Sequence, residues 1–319
     1  AFARGLSPNV TEIHDRTAWE DCLHLFDDTI HRLNGSLNAI TSFDFEQQAS
    51  AVGGVHTWIS AALTNQHTCV NGFHGIDHNS YENNNISSIG SLMSLHVSNA
   101  SNLISNSLAL FTNLTISPPS RNRRDSEWLS VEKRRRVSKS NGDVVVAQDG
   151  SGDCETITEA LNAYRPVQGN DTYYVIYIKS GRYYETIVIG RNMKNVMMIG
   201  DGMGRTVVSG NRNVPEDLSL FSSATFAVWG DGFVAKGMTI ANTAGPQKFQ
   251  AVALLVVSDM AVFYRCAIKG YQDTLFLHSN RQFFRECHIS GTIDFIFGNS
   301  AVVIQNSVIL VRKTPPRPS

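Results

Sequence analysis

Phe263-Tyr264-Arg265-Cys266-Ala267-Ile268 returns as Phe284-Arg285-Glu286-Cys287-His288-Ile289 and again as Ile304-Gln305-Asn306-Ser307-Val308-Ile309. The residue opening each block recurs after 21 and then 20 positions, and the closing isoleucine keeps step. Self-similarity at this period marks a solenoid whose repeats bury their apolar faces on one another. Leucine-rich repeats share the period, but their Leu-x-x-Leu-x-Leu-x-x-Asn signature is missing. Coils of stacked parallel strands are the better reading, with equivalent positions on neighbouring coils ~4.8 Å apart.

The repeat carries chemistry. Asp273, in Gln272-Asp273-Thr274-Leu275, and Asp294, in Asp294-Phe295-Ile296-Phe297-Gly298, lie 21 residues apart and become neighbours in space. Gln250 precedes Gln272 by 22 residues, so successive coils offer an amide, an amide with a carboxylate, and a carboxylate. Close carboxylates cannot both ionise easily, so one holds its proton while the other can attack. Amide N–H groups beside them can hydrogen-bond a developing oxyanion. That set suits acyl transfer from an ester. Gln-Asp and Asp-Thr also cap strands in solenoid turns, a purely structural alternative. An aspartic protease would need glycine where Leu275 follows Thr274. Glycoside hydrolysis, with carboxylates roughly 5–9.5 Å apart, stays open.

Upstream, residues 12–112 read as helices. Thr17 with Glu20 predicts a capping box, and Trp19, Cys22, Leu23, Phe26, Ile30 and Leu33 predict one apolar face. Further helices are expected over 43–70, with Trp58, Ile59, Ala62 and Leu63, and over 85–112, with Leu103, Ile104, Leu108 and Phe111. Pro118-Pro119 ends this bundle. A linker over 115–142 follows, carrying Arg123, Arg124, Arg134, Arg135 and Arg136 in two basic runs. From Val144 the texture turns to short β-branched runs at 144–147, 173–178, 186–189, 196–199 and 206–208.

A chain of 319 residues allows about two domains. A net charge of -1 gives no global field favouring nucleic acid. No apolar run approaches the ~20 residues of a membrane span. Asn9, Asn34, Asn85, Asn99, Asn113 and Asn170 each open an Asn-x-Ser/Thr acceptor, which predicts export and glycosylation. Five cysteines are too few for a disulfide scaffold and lack zinc-type pairing. His74 and His78 stand four apart without a third ligand, so no metal is expected, and Cys154 reads as an inert thiol.

Gly181-Arg182-Tyr183-Tyr184-Glu185, Gln250–Leu254, Gln272–Leu275 and Asp294–Gly298, in this order, resemble the signature of plant pectin methylesterases. Asp149-Gly150-Ser151-Gly152, Asn242-Thr243-Ala244-Gly245-Pro246 and the run from His278 to Phe283 agree with it. Residues 12–112 resemble the inhibitor-like pro-region of the same enzymes, chiefly through the run from Trp58 to Gln66. The resemblance implies a right-handed parallel β-helix over 143–319, an all-α inhibitor-like bundle over 1–114, and a processing linker over 115–142. It implies hydrolysis of galacturonate methyl esters in pectin without a cofactor. Asp294 would be the nucleophile, Asp273 the acid and base, and Gln272 and Gln250 the oxyanion donors. Gln250, Phe276 and Phe297 would line the substrate groove. Implied partners are pectin, pectin methylesterase inhibitor proteins and a subtilisin-like processing protease; the implied location is the secreted, cell-wall space.

The sequence also departs from the family. The family continues into a Leu-Gly-Arg-Pro-Trp motif whose arginine bonds the nucleophile, whereas this sequence ends at Ser319. The family's first helical hairpin and its cysteine pair are also missing, so both domains read as incomplete, and the lost arginine makes weak or no activity the expectation. A non-catalytic module binding a pectin methylesterase is the alternative, and a β-helix lyase or polygalacturonase a third. Cys22 and Cys69 match a family cysteine pair and are expected to be bonded. Ser307 replaces the cysteine that usually bonds the Cys287 position, leaving Cys266 as a substitute partner. Leu220 replaces a substrate-binding threonine before Phe221.

Overall fold

The computed structural model describes residues 13–41, 48–73, 88–115, 142–167, 172–216 and 219–313. The chain forms two compact units, one holding three long helices and the other holding all the described strands.

In the first unit α1 (Ile13–Thr41), α2 (Gln48–Asn71) and α3 (Ser88–Thr115) share a core that includes Cys22, Leu25, Val55, Ile59, Met93, Val97 and Ile104. A Cys22–Cys69 disulfide ties α1 to α2 with Cα atoms 4.7 Å apart, as the resemblance implied. Three helix expectations need correction. Thr17 and Glu20 lie inside α1, which is already helical at Ile13, so they form no cap. In the second half of α1 the buried face is also not the apolar one: Ile30 is 58% exposed, while Asp28, Thr29, Arg32 and Ser36 are buried. Burial costs polar groups dearly unless they are paired, and here they are. Arg32 bonds Asp28 within α1; from α2, the Asn65 amide donates to Asp28 at 3.0 Å and the Gln66 amide to Thr29 at 2.9 Å. Leu103 of α3 is 70% exposed, against expectation, while Ile104 alone of its pair enters the core.

The second unit is a parallel β-helix. One sheet stacks Val144–Val146, Tyr174–Ile178, Val196–Gly200, Val234–Lys236, Ala261–Tyr264, Arg281–Arg285 and Ala301–Gln305. A second stacks Gly181–Tyr184, Thr206–Gly210, Thr239–Asn242, Ala267–Lys269, His288–Gly291 and Val308–Val311. The third stacks Ile187–Ile189, Phe226–Val228, Leu254–Val256, Leu275–Leu277 and Ile296–Phe297. The early strands fall within a residue or two of their expected positions.

The repeat read from sequence is the register. Met198, Ala235, Phe263, Phe284 and Ile304 pair in one column, and Val208, Ile240, Ile268, Ile289 and Ile309 in another. Phe263 and Phe284 stack in the interior, ring centroids 4.6 Å apart. Each phenylalanine removed from water contributes roughly 1.5–3 kcal/mol.

A short helix, α4 (Ile157–Asn162), packs its Ile157, Ala160 and Leu161 into the same core. The Thr156 hydroxyl and the Glu159 side chain form its capping box. Glu185 explains its place in the Gly-x-Tyr-x-Glu motif here, because its carboxylate accepts from Ile157 N and Thr158 N at 2.9 Å.

Cys266 and Cys287 sit at one register position on adjacent coils, yet both are free and buried. Cys266 thus does not take the place of the missing partner, a pairing the sequence left open; the two thiols instead donate to the backbone carbonyls of Tyr264, Phe263 and Arg285. Burial pushes the Cys287 thiol up to about 11. Cys154 is also free and half-buried, its thiol raised first by burial and then by nearby Glu159 and Asp153.

Candidate active site

The strand Leu275–Leu277 pairs with Ile296–Phe297, Leu275 opposite Ile296. Two positions earlier, the same register sets Asp273 opposite Asp294. Asp273 N donates to Ile293 O at 3.1 Å and Leu275 N to Phe295 O at 3.0 Å, which carries the pairing through both aspartates. Both residues are left-handed, with φ 59° and 47°. Non-glycine residues held there cost on the order of 1–3 kcal/mol each and cluster at functional sites. Gly298 closes the Asp294-Phe295-Ile296-Phe297 run at φ 124°, where a Cβ would sit 1.9 Å from Leu277 O.

The two carboxyls differ in surroundings. Asp294 is exposed, whereas Asp273 is 8% exposed. Burial, helped by the charge of Asp294, raises the Asp273 carboxyl to about 7. It therefore carries a proton through most of the range in which ordinary carboxyls have lost theirs. Among the described residues no ion pair reaches either aspartate.

Gln272 pairs with Gln250 on the preceding coil, although a strict 21-residue period would set Ala251 there. The difference is one extra residue before Leu254, which pairs with Leu275. Ala253 N and Leu254 N both donate to Thr274 O, at 2.9 and 3.2 Å, the local form of a bulge. Bulges re-aim side chains beside functional sites, and this one sets Gln250 opposite Gln272 on adjacent coils. The Gln250 Oε1 atom is shielded and has no hydrogen-bond partner among the described residues.

Phe276 and Phe297 pair in register on the outward face of the third sheet and stack at 4.4 Å and 15°. Phe221 meets Phe276 edge-on at 5.4 Å, His278 joins both rings, and Trp229 stacks on Phe221. Leu220 packs into this cluster. Sequence reasoning missed Phe221, Trp229 and His278 as companions of Phe276. Their alternation with core residues was a signal, but the loop that brings Phe221 over the sheet was not. Tyr271 and Arg312 were missed too; Arg312 donates to Gly270 O at 2.8 Å, beside the Gln272–Asp273 turn.

Asn34, Asn99 and Asn113 are exposed on their helices. Asn9, Asn85, Asn170, the histidines His74 and His78, and the arginines of the two basic runs, Arg123, Arg124, Arg134, Arg135 and Arg136, lie outside the described residues. Among the described residues no cluster of three or more metal-ligating side chains occurs, and no helix is long and apolar enough to cross a membrane.

Residues 143–318 match the Pectinesterase family model, and residues 3–110 match Plant invertase/pectin methylesterase inhibitor. The chain is 41% identical over 321 residues to probable pectinesterase/pectinesterase inhibitor 34 of Arabidopsis thaliana, covering 93% of this chain and 51% of that protein. It is 42% identical over 307 residues to pectinesterase 2 of Citrus sinensis, covering 95% and 55%. The chain thus spans about half the length of the curated relatives it matches. Among solved structures, pectin methylesterase from carrot is similar with TM-score 0.54 and 49% identity, over 56% of this chain and 55% of that one. A pectin methylesterase in complex with a hexasaccharide is similar with TM-score 0.50 and 30% identity, over 55% and 57%.

Proposed function

The chain belongs to the pectinesterase family, and from that premise we propose that its stacked aspartates hydrolyse the methyl esters of galacturonate in pectin. The observation that carries this reading is the asymmetry of the pair: in register on adjacent coils, one buried with its carboxyl raised to about 7, the other open to solvent.

The solvent-facing Asp294 supplies the carboxylate that attacks the ester carbonyl carbon, forming a tetrahedral oxyanion. The Gln272 and Gln250 amides donate to that oxygen as its charge develops. Collapse breaks the carbon–methoxy bond, and the Asp273 proton goes to the departing oxygen to give methanol. Asp273, now a carboxylate, takes a proton from water, whose oxygen attacks the galacturonyl–Asp294 anhydride. This frees the acid, regenerates Asp294 and returns the proton to Asp273. Phe276 and Phe297 offer an aromatic face beside the pair for the sugar rings.

An extracellular, cell-wall setting goes with this reading. A disulfide persists in oxidising compartments, and Asn34, Asn99 and Asn113 are exposed acceptors. The basic runs at 121–136 are then the place for a subtilisin-like protease to separate residues 1–114 from 143–319. The test is methanol release from highly esterified pectin by the wild type and by Asp294→Asn. Release by the wild type with a loss of at least about 10³-fold in the variant is expected. Equal release by both rejects Asp294 as nucleophile, and none from either rejects ester hydrolysis by this chain.

A further inference from the structure

Arg312 lies one position beyond the strand Val308–Val311, and its N–H donates to Gly291 O at 2.7 Å, continuing the pairing with the adjacent coil. Its side chain reaches one coil further. Nη1 donates to Gly270 O and Nη2 donates to the Tyr271 hydroxyl, both at 2.8 Å. The guanidinium carbon also lies 3.8 Å from the centre of the Tyr271 ring. Tyr271 is meanwhile fixed through its carbonyl, which accepts from Thr292 N at 2.8 Å and from the Thr274 hydroxyl at 2.9 Å. Ring, hydroxyl and carbonyl of this one residue are all engaged. The next two residues are Gln272 and the left-handed Asp273.

We infer that Arg312 is a positioning residue for the ester hydrolysis proposed above: gripping Gly270 and Tyr271 from two coils away, it fixes the turn that aims the Gln272 amide and the Asp273 carboxyl. The inference rests on that functional reading for its consequence, but not for its geometry. A planar fork with several donors suits the job better than an ammonium, since it can bond two acceptors and stack on a ring at once. Arg312 touches neither carboxyl in the structure, so its effect runs through the turn. Catalytic groups displaced by about 1 Å can lose about a hundredfold in rate.

The test compares Arg312→Met, Arg312→Lys and Tyr271→Phe with the wild type. With methyl-esterified pectin, Arg312→Met should lower kcat by about ten- to a hundredfold while KM stays within about twofold. Arg312→Lys should recover part of the loss, and Tyr271→Phe, which keeps the ring, should cost least. Hydrogen exchange over 270–275 should quicken in Arg312→Met. The Asp273 carboxyl, followed by carbon NMR, should titrate lower as water reaches it; Asp294 is the charged neighbour in both proteins. Unchanged exchange over 270–275, or a loss confined to KM, overturns the inference. If Arg312→Met does not fold, the lysine and phenylalanine variants decide by the same readouts. A wild type that releases no methanol removes the functional reading, whereas exchange and the Asp273 titration still decide whether the clamp orders the turn.

Discussion

Asp273 has its high carboxyl value first from burial and then from Asp294, and this leaves a mark on stability as well as on chemistry. Its folded value, about 7, stands above the ordinary 3.8. Between those values the folded chain holds a proton that the unfolded chain has released. Stability therefore falls as pH rises through that window and levels off above it, by an amount on the order of a few kcal/mol. Urea midpoints at pH 4 to 8 for wild type and Asp273→Asn check this. The variant's stability relative to wild type should increase across the window, and a constant difference would show that the carboxyl titrates normally. The pairing behind this was legible in the 21-residue spacing alone. The alignment of Gln250 with Gln272 was legible too, in their 22-residue spacing; the bulge that absorbs the extra residue before Leu254 was not, because a bulge is set by which carbonyl accepts two donors rather than by residue type. Arg312 was hidden for a related reason. Its partners are a backbone carbonyl and a tyrosine two coils away, and no local pattern encodes that reach.

At the scale of elements, the strands were easier to read than the helices. A buried strand of isoleucine, valine and phenylalanine has few alternatives once a stacked repeat is seen. Helix α1 misleads because its second half buries Asp28, Thr29, Arg32 and Ser36 and exposes Ile30. Periodicity assumes that the apolar face goes inward, but here Asn65 and Gln66 of α2 satisfy the polar one. The stretch from Trp58 to Gln66 that carries the inhibitor-like resemblance is the stretch that supplies these amides. Removing one member of a buried charge pair leaves the other uncompensated, at a cost of about 3–5 kcal/mol. Arg32→Met should lower the unfolding free energy of the helical unit by that order, read from helical circular dichroism in denaturant. Replacing Asp28 and Arg32 together with apolar residues should cost markedly less. A double variant as unstable as the single one would mean that the packing of Arg32, not its charge, matters.

Across the strand-bearing unit, stability is close to one-dimensional, each coil touching chiefly its neighbours. Ile268 sits mid-column, between Ile240 and Ile289, and all three are fully buried. Truncating it removes contacts to both neighbouring coils and leaves a cavity, so Ile268→Ala should cost about 2–5 kcal/mol. The same strand leads, through Lys269, Gly270 and Tyr271, into the turn that carries Gln272 and Asp273. Loosening should therefore spread along the stack from residue 268, reaching the aspartate turn before the distant coil of Tyr183, which lies in the same column. Hydrogen exchange resolved by peptide measures that order directly. Peptides spanning 239–242, 267–275 and 288–294 should lose protection first, with 181–184 last. Uniform loss across the unit would instead make the β-helix one cooperative block, and distance along the stack would then protect nothing.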